Sequence, residues 1–305
     1  MKQKVLCIYH KVDLDGAVSA AIVLRRYGAE NVTLVGWTYG NPFPTQQVGE
    51  AVKNGHLIIL VDVSFSVEIM KQLSTDKMTI QYKDYPLQVI WIDHHITAIQ
   101  DSEKYDYSRI KGIRTCERAA CELTYEFLNG KESPTGIALL GQYDSWRQEG
   151  LHPWEDVLNF QYGMKNYGLN PLDMPDFLWT GDPDELKATA EVGSGIRKYL
   201  KQKNAVECKL YSFEAEIRGL RAICLNTTEF QTQTFASVYD EEKHDLMCAF
   251  VLNGTDVIKM SLCATKAEIN CGDIARHFGG GGHKGAAGFQ IIWPRFETFM
   301  VTKRL

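Results

Sequence analysis

The stretch VIWIDHHIT, residues 89–97, places four apolar residues directly before an aspartate and two histidines. A short continuous apolar run of this kind is typical of a strand buried on both faces of a parallel sheet. The sequence therefore predicts a buried strand that ends at Asp93, His94 and His95. All three side chains can bind metal or take part in proton transfer, so this stretch carries a signal for the fold and a signal for a site.

Strand and helix signals alternate through the first half of the chain. Strands are predicted in KVLCIYH, NVTLVGW, HLIILVDVS and VIWID, and helices in GAVSAAIVLRRYG, SVEIMKQLST and ERAACELTYEFLNG. Apolar strands separated by helices indicate a parallel sheet that is covered on both faces. We therefore predict an α/β fold whose N-terminal domain has a Rossmann-like parallel sheet.

The pattern changes in the second half. A stretch rich in proline, glycine and aspartate (171–184) precedes a polar helix, which is typical of a domain linker. Beyond it, strands are predicted in CKLYSFEAEI, LRAICLN, LMCAFVLN and VIKMSLCAT, and helices in TFASVYDEE and CGDIARHF. We predict an N-terminal domain over 1–185, a linker helix over 186–205 and a smaller α+β domain with a mixed or antiparallel sheet over 206–305.

Composition narrows the classes of function. The net charge of −5 argues against a long, non-specific nucleic-acid groove but is compatible with a small phosphorylated ligand held by metal. No apolar run approaches the roughly 20 residues that span a bilayer. The eight cysteines form no C-x-x-C pair, and several lie in apolar runs, which indicates buried, reduced thiols. The expected location is the cytoplasm.

Potential ligand residues follow the predicted strands. Ligands of open parallel sheets bind beyond the carboxyl ends of the strands, which meet at one edge. His10, Asp13 and Asp15 follow the first strand, Asp62 follows HLIILV, and Asp144 closes the apolar helical run LLGQYD; the triplet at residues 93–95 completes the set. Any one aspartate could simply cap a helix. Five carboxylates at one edge would repel one another strongly, so the complete set predicts bound cations.

The ligand chemistry indicates which cations are suitable. Carboxylate oxygens with some imidazole nitrogens suit Mn²⁺ or Mg²⁺, with Zn²⁺ or Fe²⁺ as alternatives, and no thiolate is in the set. The number of ligands favours two ions. Two ions about 3.5–4 Å apart are a common device for hydrolysing phosphoesters.

A glycine run, HFGGGGHKGAAGF at residues 277–289, is a second candidate site. Consecutive glycines allow close backbone approach to a ligand, and their amides can surround an anion. The residues concerned are Gly279, Gly280, Gly281, Gly282 and His283. The alternative is a flexible loop, although a helix before the run and a strand of small residues after it favour a tight turn. No Ser or Thr follows Lys284, which argues against a P-loop.

These motifs together resemble the DHH phosphoesterase family with its DHH-associated C-terminal domain. The triplet at residues 93–95 matches the motif that names the family; HKVDLDG, Asp62, Asp144 and the glycine run match its other motifs in order. The resemblance covers essentially the whole chain. It implies an active site in the cleft between two domains.

The resemblance also implies roles for individual residues. His10, Asp13 and Asp62 would hold one ion; Asp15, Asp62, His94 and Asp144 would hold the other. His95 would face the scissile phosphate, and Asp93 would orient the metal ligands. The glycine run and His283 would bind the far phosphate or nucleotide of the substrate. Cys263 stands where an arginine is common in the family, and Lys266 is the candidate replacement.

The expected activity is hydrolysis of phosphoester bonds in short oligonucleotides, dinucleotides or nucleotide phosphates by a water activated by two metals, preferably Mn²⁺. A homodimer is one candidate assembly, and no membrane is expected to take part. Two alternatives remain open. One is a RecJ-type exonuclease acting on single strands, although we find no additional nucleic-acid-binding domain. The other is a non-catalytic nucleotide-binding protein, which the complete ligand set argues against.

Overall fold

A computed structural model describes residues 3–229, 231–254, 256–282 and 284–305 of the chain. The chain divides into two compact units, Met1–Ile196 and Arg197–Leu305. The predicted linker helix at residues 186–205 lies within one continuous helix, Pro183–Tyr211, which extends beyond it at both ends.

The first unit has an α/β architecture. Its strands are β1 (Val5–His10), β2 (Val32–Trp37), β3 (Leu57–Val61), β4 (Lys77–Ile80), β5 (Lys83–Pro86) and β6 (Val89–Ile92). Four of them form a fully parallel sheet in the order β2-β1-β3-β6, and β4 pairs with β5 in a separate hairpin. The predicted parallel sheet is confirmed. Because its strands are parallel, all four carboxyl ends lie at one edge.

Helices cover both faces of this sheet. The helices that begin in the first unit are α1 (Leu14–Tyr27), α2 (Thr45–Lys53), α3 (Val67–Leu73), α4 (Ile96–Tyr105), α5 (Ala120–Asn129), α6 (Thr135–Asp144), α7 (Trp154–Met164), α8 (Phe177–Thr180) and α9 (Pro183–Tyr211). On one face, Ile8 and Leu60 pack with residues of α2 and α3. On the other face, Cys7 and Ile59 pack with residues of α1 and α5. The alternation follows from the period of two along a strand.

The second unit is an α+β domain. Its strands are β7 (Phe213–Ile217), β8 (Leu220–Asn226), β9 (Leu246–Asn253), β10 (Val257–Cys263), β11 (Gly281–Gly282) and β12 (Ala286–Ile292), and its helices are α10 (Cys271–His277) and α11 (Trp293–Thr302). The sheet order is β11-β12-β10-β9-β8-β7, with β8 and β9 parallel and the other pairs antiparallel. Of the two predicted arrangements, mixed or antiparallel, the sheet is mixed. The C-terminal residues extend the edge at β7, where Leu305 donates to the carbonyl of Glu216 at 2.9 Å.

In this half of the chain one predicted strand begins too early and one predicted helix is wrong. Residues 208–211 continue α9 instead of beginning a strand, because residues 196–211 contain no proline or glycine to end the helix. Residues 234–242 were expected to form a helix, but only the short 3-10 turn Thr232–Phe235 precedes a run of turns. There the Asp240 side chain accepts from the amide of Glu242 at 3.0 Å, and such local bonds compete with a helix.

Seven of the eight cysteines are buried, and Cys116 is exposed. Within the described ranges, none of the helices combines the length and apolar character required to cross a lipid bilayer.

Candidate metal centre

The turn from β1 into α1 brings His10 and Asp13 together. Asp13 caps α1, where its Oδ1 accepts from the amide of Gly16 at 3.0 Å, and its Oδ2 lies 2.9 Å from Nδ1 of His10. A Cβ atom at Gly16 would lie 2.0 Å from the carbonyl oxygen of His10, so only glycine permits this close approach of helix and strand. Asp13 is therefore a helix cap and also a candidate ligand.

Asp62 lies at the end of β3 in an unusual backbone conformation. Its φ of 58° is in the left-handed region, which costs energy for a non-glycine residue. Its amide donates to the carbonyl of Ile92 at 3.0 Å, and this bond ties the turn to the end of β6. The carboxylate faces two ways, with Oδ2 3.4 Å from Nδ1 of His10 and Oδ1 3.4 Å from Nε2 of His94.

A second group forms around His94. Its Nε2 lies 3.2 Å from Oδ2 of Asp144 and 3.7 Å from Oδ2 of Asp15. Asp144 is the last residue of α6, as the apolar helical run predicted. Asp15 lies in the first turn of α1 and is buried. The end of β6, helix α1 and helix α6 thus bring His94, Asp15 and Asp144 together, and Asp62 contacts the same histidine.

The start of α5 fixes the Asp15 carboxylate. Its Oδ2 accepts from the amide of Ala120 at 2.9 Å, and its Oδ1 accepts from the amide of Cys121 at 2.7 Å. The first amides of a helix have no partner within the helix and favour negative charge. Sequence reasoning missed this contact, because it joins positions 105 and 106 residues apart and no motif connects them.

Asp93 organises the loop that carries the two histidines. Its Oδ1 accepts from the amides of His94 at 2.8 Å and His95 at 3.1 Å, and it lies 2.7 Å from Nδ1 of His95. The indole of Trp91 donates to Oδ2 at 3.2 Å and to the carbonyl of Val63 at 2.9 Å. Asp93 is completely buried and contacts neighbours of the cluster, which suits an orienting role. The bond from Trp91 is a second contact that the sequence did not reveal.

The surrounding carboxylates raise the pKa of all three histidines. Burial opposes the charged imidazolium, but Asp13 and Asp62 outweigh it at His10 and raise its pKa to about 10. At His94 the carboxylates of Asp62, Asp15 and Asp144 outweigh burial and raise the pKa to about 11. At His95 the carboxylates of Asp93 and Asp62 outweigh burial and raise the pKa to about 9. Without a cation, the cluster therefore retains protons that balance its negative charge.

The pKa values of the carboxylates are shifted in opposite directions. Burial raises the pKa of Asp62, but the attraction of the nearby His10 and His94 outweighs burial and holds this pKa well below its usual value. Burial and the neighbouring Asp62 and Asp144 raise the pKa of Asp15 well above its usual range. Burial also raises the pKa of Asp144, to about 7, against the opposing charge of His94.

The residues fit divalent cations by two criteria. First, candidate ligand atoms of His10, Asp13 and Asp62, and those of Asp15, His94 and Asp144, lie within 4.8 Å of one another in each group; a third such group is Asp62 with His94 and His95. Second, the described residues give neither Nδ1 of His10 nor Oδ1 of Asp62 a well-formed hydrogen bond, although both atoms are buried. Buried polar atoms of this kind normally have a partner, and oxygen with imidazole donors suits Mn²⁺ or Mg²⁺.

The glycine run forms a structural turn. The amides of Gly279 and Gly280 donate to the carbonyls of Arg276 at 3.0 Å and Ala275 at 2.9 Å, and so end α10. Gly281 and Gly282 form β11, which pairs with β12. The amides of Gly279 and Gly280 are therefore not available for the anion binding that the sequence predicted. His283, predicted to bind substrate with this run, lies outside the described residues.

Lys266, predicted to bind substrate, forms an ion pair in the second unit. Its Nζ donates to Oδ1 of Asp245 at 2.6 Å, and Nη2 of Arg221 donates to the same oxygen at 2.9 Å. Cys263, which stands where family members often have an arginine, is buried. The Lys266 ammonium is therefore already paired within its own unit.

Comparisons with known proteins identify the family of the chain. The sequence matches the DHH family, N-terminal domain, over residues 4–143 and the DHHA1 domain over residues 221–301, together more than two thirds of the chain. The chain belongs to the DHH family and carries a DHHA1 domain. Members of this family hydrolyse phosphoester bonds, which makes the chain a phosphoester hydrolase by class. No match was found among curated proteins.

Several solved structures are similar over nearly the whole chain. A DHH domain described as a member of a family of ribosomal proteins has a TM-score of 0.60 at 11% identity, covering 99% of this chain and 85% of the other. A pGpG-specific phosphodiesterase, PggH from Vibrio cholerae, has a TM-score of 0.49 at 14% identity, covering 99% and 98%. RecJ with Mn²⁺ from Thermus thermophilus has a TM-score of 0.49 at 16% identity, covering 99% and 51%. The similarity to the first of these structures, with its TM-score of 0.60 at 11% identity, supports the fold alone.

Proposed function

We propose that this chain is a metal-dependent phosphoesterase acting on short oligonucleotides, dinucleotides or nucleotide phosphates. The observation that carries the proposal is the position of Asp62, whose two oxygens face two different groups of candidate ligands. A carboxylate shared in this way is suited to bridge two ions. We take Mn²⁺ as the ion to test first, with Mg²⁺ as the alternative.

Each side chain has a proposed part. One ion would be held by His10, Asp13 and Asp62, and the second by Asp15, Asp62, His94 and Asp144. When bound, the two ions supply a water of lowered pKa and neutralise charge on the phosphoryl oxygens. The left-handed backbone of Asp62 and the amides around Asp15 hold both carboxylates in place before ions or substrate arrive.

His95 is the proposed contact to the reacting phosphate. Asp93 holds Nδ1 of its ring at 2.7 Å, so Nε2 is the nitrogen that would donate to a phosphoryl oxygen. Such a donor stabilises charge that develops in the transition state. Asp93 acts through His95 and is a positioning residue.

The net charge of −5 favours small substrates over long nucleic acid, which basic grooves normally bind. The glycine run, His283 and Lys266 stay proposed substrate contacts. For Gly279 and Gly280 the proposal is limited to close backbone approach, since their amides already donate to α10. For Lys266 it requires exchange of its bond to Asp245.

The test is a turnover assay with Mn²⁺-loaded protein on 5′-phosphorylated di- to pentaribonucleotides, adenosine 3′,5′-bisphosphate, cyclic dinucleotides and long single-stranded DNA. We expect turnover on at least one small substrate and little dependence of KM on salt. Preferred degradation of long single strands, with affinity that falls steeply as salt rises, would favour the RecJ-type alternative. Metal binding without turnover of any substrate would contradict the proposal and favour a nucleotide-binding protein.

A further inference from the structure

Tyr39 lies at the same edge of the sheet as the metal centre. It follows the end of β2, the strand next to β1, and its ring centroid is 5.7 Å from that of His10 and 6.0 Å from that of His95. His10 is a proposed metal ligand, and His95 is the proposed contact to the scissile phosphate. Tyr39 therefore stands beside both.

The ring is supported from behind by other aromatic side chains. Its centroid lies 5.1 Å from that of Trp37, at an interplanar angle of 71°. Trp37 contacts Phe65 at 4.9 Å, and Phe65 contacts Phe43 at 4.7 Å, each at a steep angle. Edge-to-face contacts of this kind hold rings in fixed orientations. The orientation of Tyr39 is thus set by packing before a ligand binds.

The tip of the side chain and the backbone are also held. The hydroxyl of Tyr39 lies 3.5 Å from Oγ of Ser64 and accepts from the amide of Ser64 at 3.4 Å, two residues beyond Asp62. Its backbone lies in a tight turn, in which the amide of Asn41 donates to the carbonyl of Thr38 at 3.1 Å. Little conformational entropy remains to be lost when this ring contacts a ligand.

Tyr39 is nevertheless 49% exposed, although it contacts three other rings within its unit. A tyrosine that served only to pack the histidines would gain stability from burial. A rigid aromatic ring that stays exposed beside a phosphate site is suited to contact a flat group attached to that phosphate. Stacking on a base requires only a π-face and tolerates any base.

We propose that Tyr39 is a substrate-specificity residue, which stacks on the nucleobase joined to the phosphoester held at the metal centre. This rests on the proposed function and narrows its substrates to nucleoside phosphoesters, as opposed to inorganic polyphosphates or sugar phosphates. Tyr39 contributes affinity and orientation for the base. The chemistry at the phosphate stays with the ligand cluster and His95.

The test compares AMP with ribose 5-phosphate, which has the same phosphate and sugar but no base. Binding of both to Mn²⁺-loaded protein is measured by calorimetry for the wild type, Tyr39→Phe, Tyr39→Leu and the control Tyr82→Leu. Tyr82 is fully exposed on the β4–β5 turn, so its replacement controls for loss of a surface tyrosine. Binding of Mn²⁺ alone to each variant reports whether the ligand cluster is intact.

We expect the wild type to bind AMP about tenfold more tightly than ribose 5-phosphate, which is the scale of one base stacked on an aromatic ring. Tyr39→Phe and Tyr82→Leu should retain that preference. Tyr39→Leu should lose it, with unchanged affinity for ribose 5-phosphate and for Mn²⁺. A second ring variant, Tyr39→Trp, should bind AMP at least as tightly as the wild type.

Equal wild-type affinity for the two ligands would overturn the inference. So would an equal loss of both ligands in Tyr39→Leu, which would make the ring a support for His10 and His95. If Tyr39→Leu does not fold, a weakened AMP preference in Tyr39→Trp would overturn it. These outcomes are independent of turnover. Hydrolysis without a base preference would refute only the role of Tyr39, and a base preference without hydrolysis would refute only the proposed function.

Discussion

Oδ1 of Asp93 lies 2.7 Å from Nδ1 of His95, and the same oxygen accepts from the His95 amide at 3.1 Å. One carboxylate oxygen of Asp93 therefore holds both the backbone and the ring of His95. Asp93 is completely buried, so this arrangement is rigid. In the proposed mechanism, Asp93 orients the His95 ring toward the scissile phosphate.

Replacing Asp93 with Asn should impair turnover more than binding of metal. The neutral amide of Asn removes the negative charge beside His95 and places a donor where Asp93 has an acceptor, so the His95 ring is held less firmly. We expect kcat to fall about 10- to 100-fold, the usual cost of losing a partner of this type. Steady-state kinetics with a parallel Mn²⁺ titration measures both quantities. Wild-type kcat in this variant would show that Asp93 does not position His95.

Replacing Asp62 with Asn should abolish the shared metal site without disturbing the fold. Asn tolerates the left-handed backbone at this position, so only the charge is lost. Asp106→Asn is a matched control, because Asp106 also has positive φ, 52°, but ends α4 and belongs to none of the ligand groups among the described residues. Manganese stoichiometry by paramagnetic resonance should fall in the first variant only. Full occupancy in Asp62→Asn would refute the shared-ligand role.

Metal affinity should increase with pH. The pKa values of His10, His94 and Asp144 are raised to about 10, 11 and 7, so at pH 7 both histidines are protonated and Asp144 is about half protonated, and a cation must displace these protons. Each displaced proton strengthens binding by up to about tenfold per pH unit, while the group is protonated in the free protein. Calorimetry from pH 6 to 8, in buffers of different ionisation enthalpy, counts the protons. An affinity independent of pH and buffer would contradict this account.

Two neighbouring glycines should behave differently when replaced by alanine. A Cβ at Gly280 would lie 2.1 Å from the carbonyl oxygen of Gly288, whereas a Cβ at Gly281 meets nothing within 4 Å. Gly280→Ala should cost about 2 kcal/mol of unfolding free energy, a typical value for enforced strain. Gly281→Ala should be stable, and a raised KM in that variant would support substrate contact at β11. Equal stability of the two variants in urea would contradict close packing of the turn at Gly280 against β12.

The ion pair of Asp245 should stabilise the second unit above acidic pH. Hydrogen bonds from Arg221, with Lys266, outweigh burial and hold the pKa of Asp245 well below its usual value. A depressed folded-state pKa gives stability that is present above the unfolded value of about 4 and is lost as pH falls. Asp245→Asn should cost about 1 kcal/mol at pH 7 and less near pH 3.

The control for Asp245 is Asp273→Asn, which removes an exposed pair with Arg276 and should have a smaller effect. Urea unfolding at both pH values provides the comparison. A loss in Asp245→Asn that is the same at pH 7 and pH 3 would show that charge does not carry the contribution. Lys266→Gln should share the stability loss, and a raised KM in that variant would support the substrate role predicted for Lys266.

Much of the fold follows from local patterns in the sequence. The runs at residues 57–61 and 89–92 are apolar without interruption, which is typical of a strand covered on both faces. Once the strands are parallel, Asp62 and Asp93 must follow at the same edge. The approach of the candidate ligands that directly follow strands was therefore predictable from the strand ends, whereas Asp144 lies at the end of helix α6.

Contacts between segments far apart in the sequence could not be predicted from local patterns. The amides of Ala120 and Cys121 meet Asp15 only because α5 packs on α1, and neither residue has a polar side chain that would indicate a site. Tyr39 has neither a carboxylate nor an imidazole, so the pattern of ligand residues at strand ends does not include it, although β2 ends at the same edge. The strand predicted at residues 208–217 is confirmed only from Phe213, because residues 208–211 form the last turn of a long helix.

The most direct test of the central claim is hydrolysis of a 5′-phosphorylated diribonucleotide by purified protein, with and without Mn²⁺, for the wild type, Asp62→Asn and Asp106→Asn. We predict release of mononucleotides by the wild type and Asp106→Asn only when Mn²⁺ is present, and at least a 100-fold lower rate for Asp62→Asn, on the order of the loss when a bridging ion is removed. Turnover that is independent of the metal, or undiminished in Asp62→Asn, would contradict a phosphoesterase built on this ligand cluster.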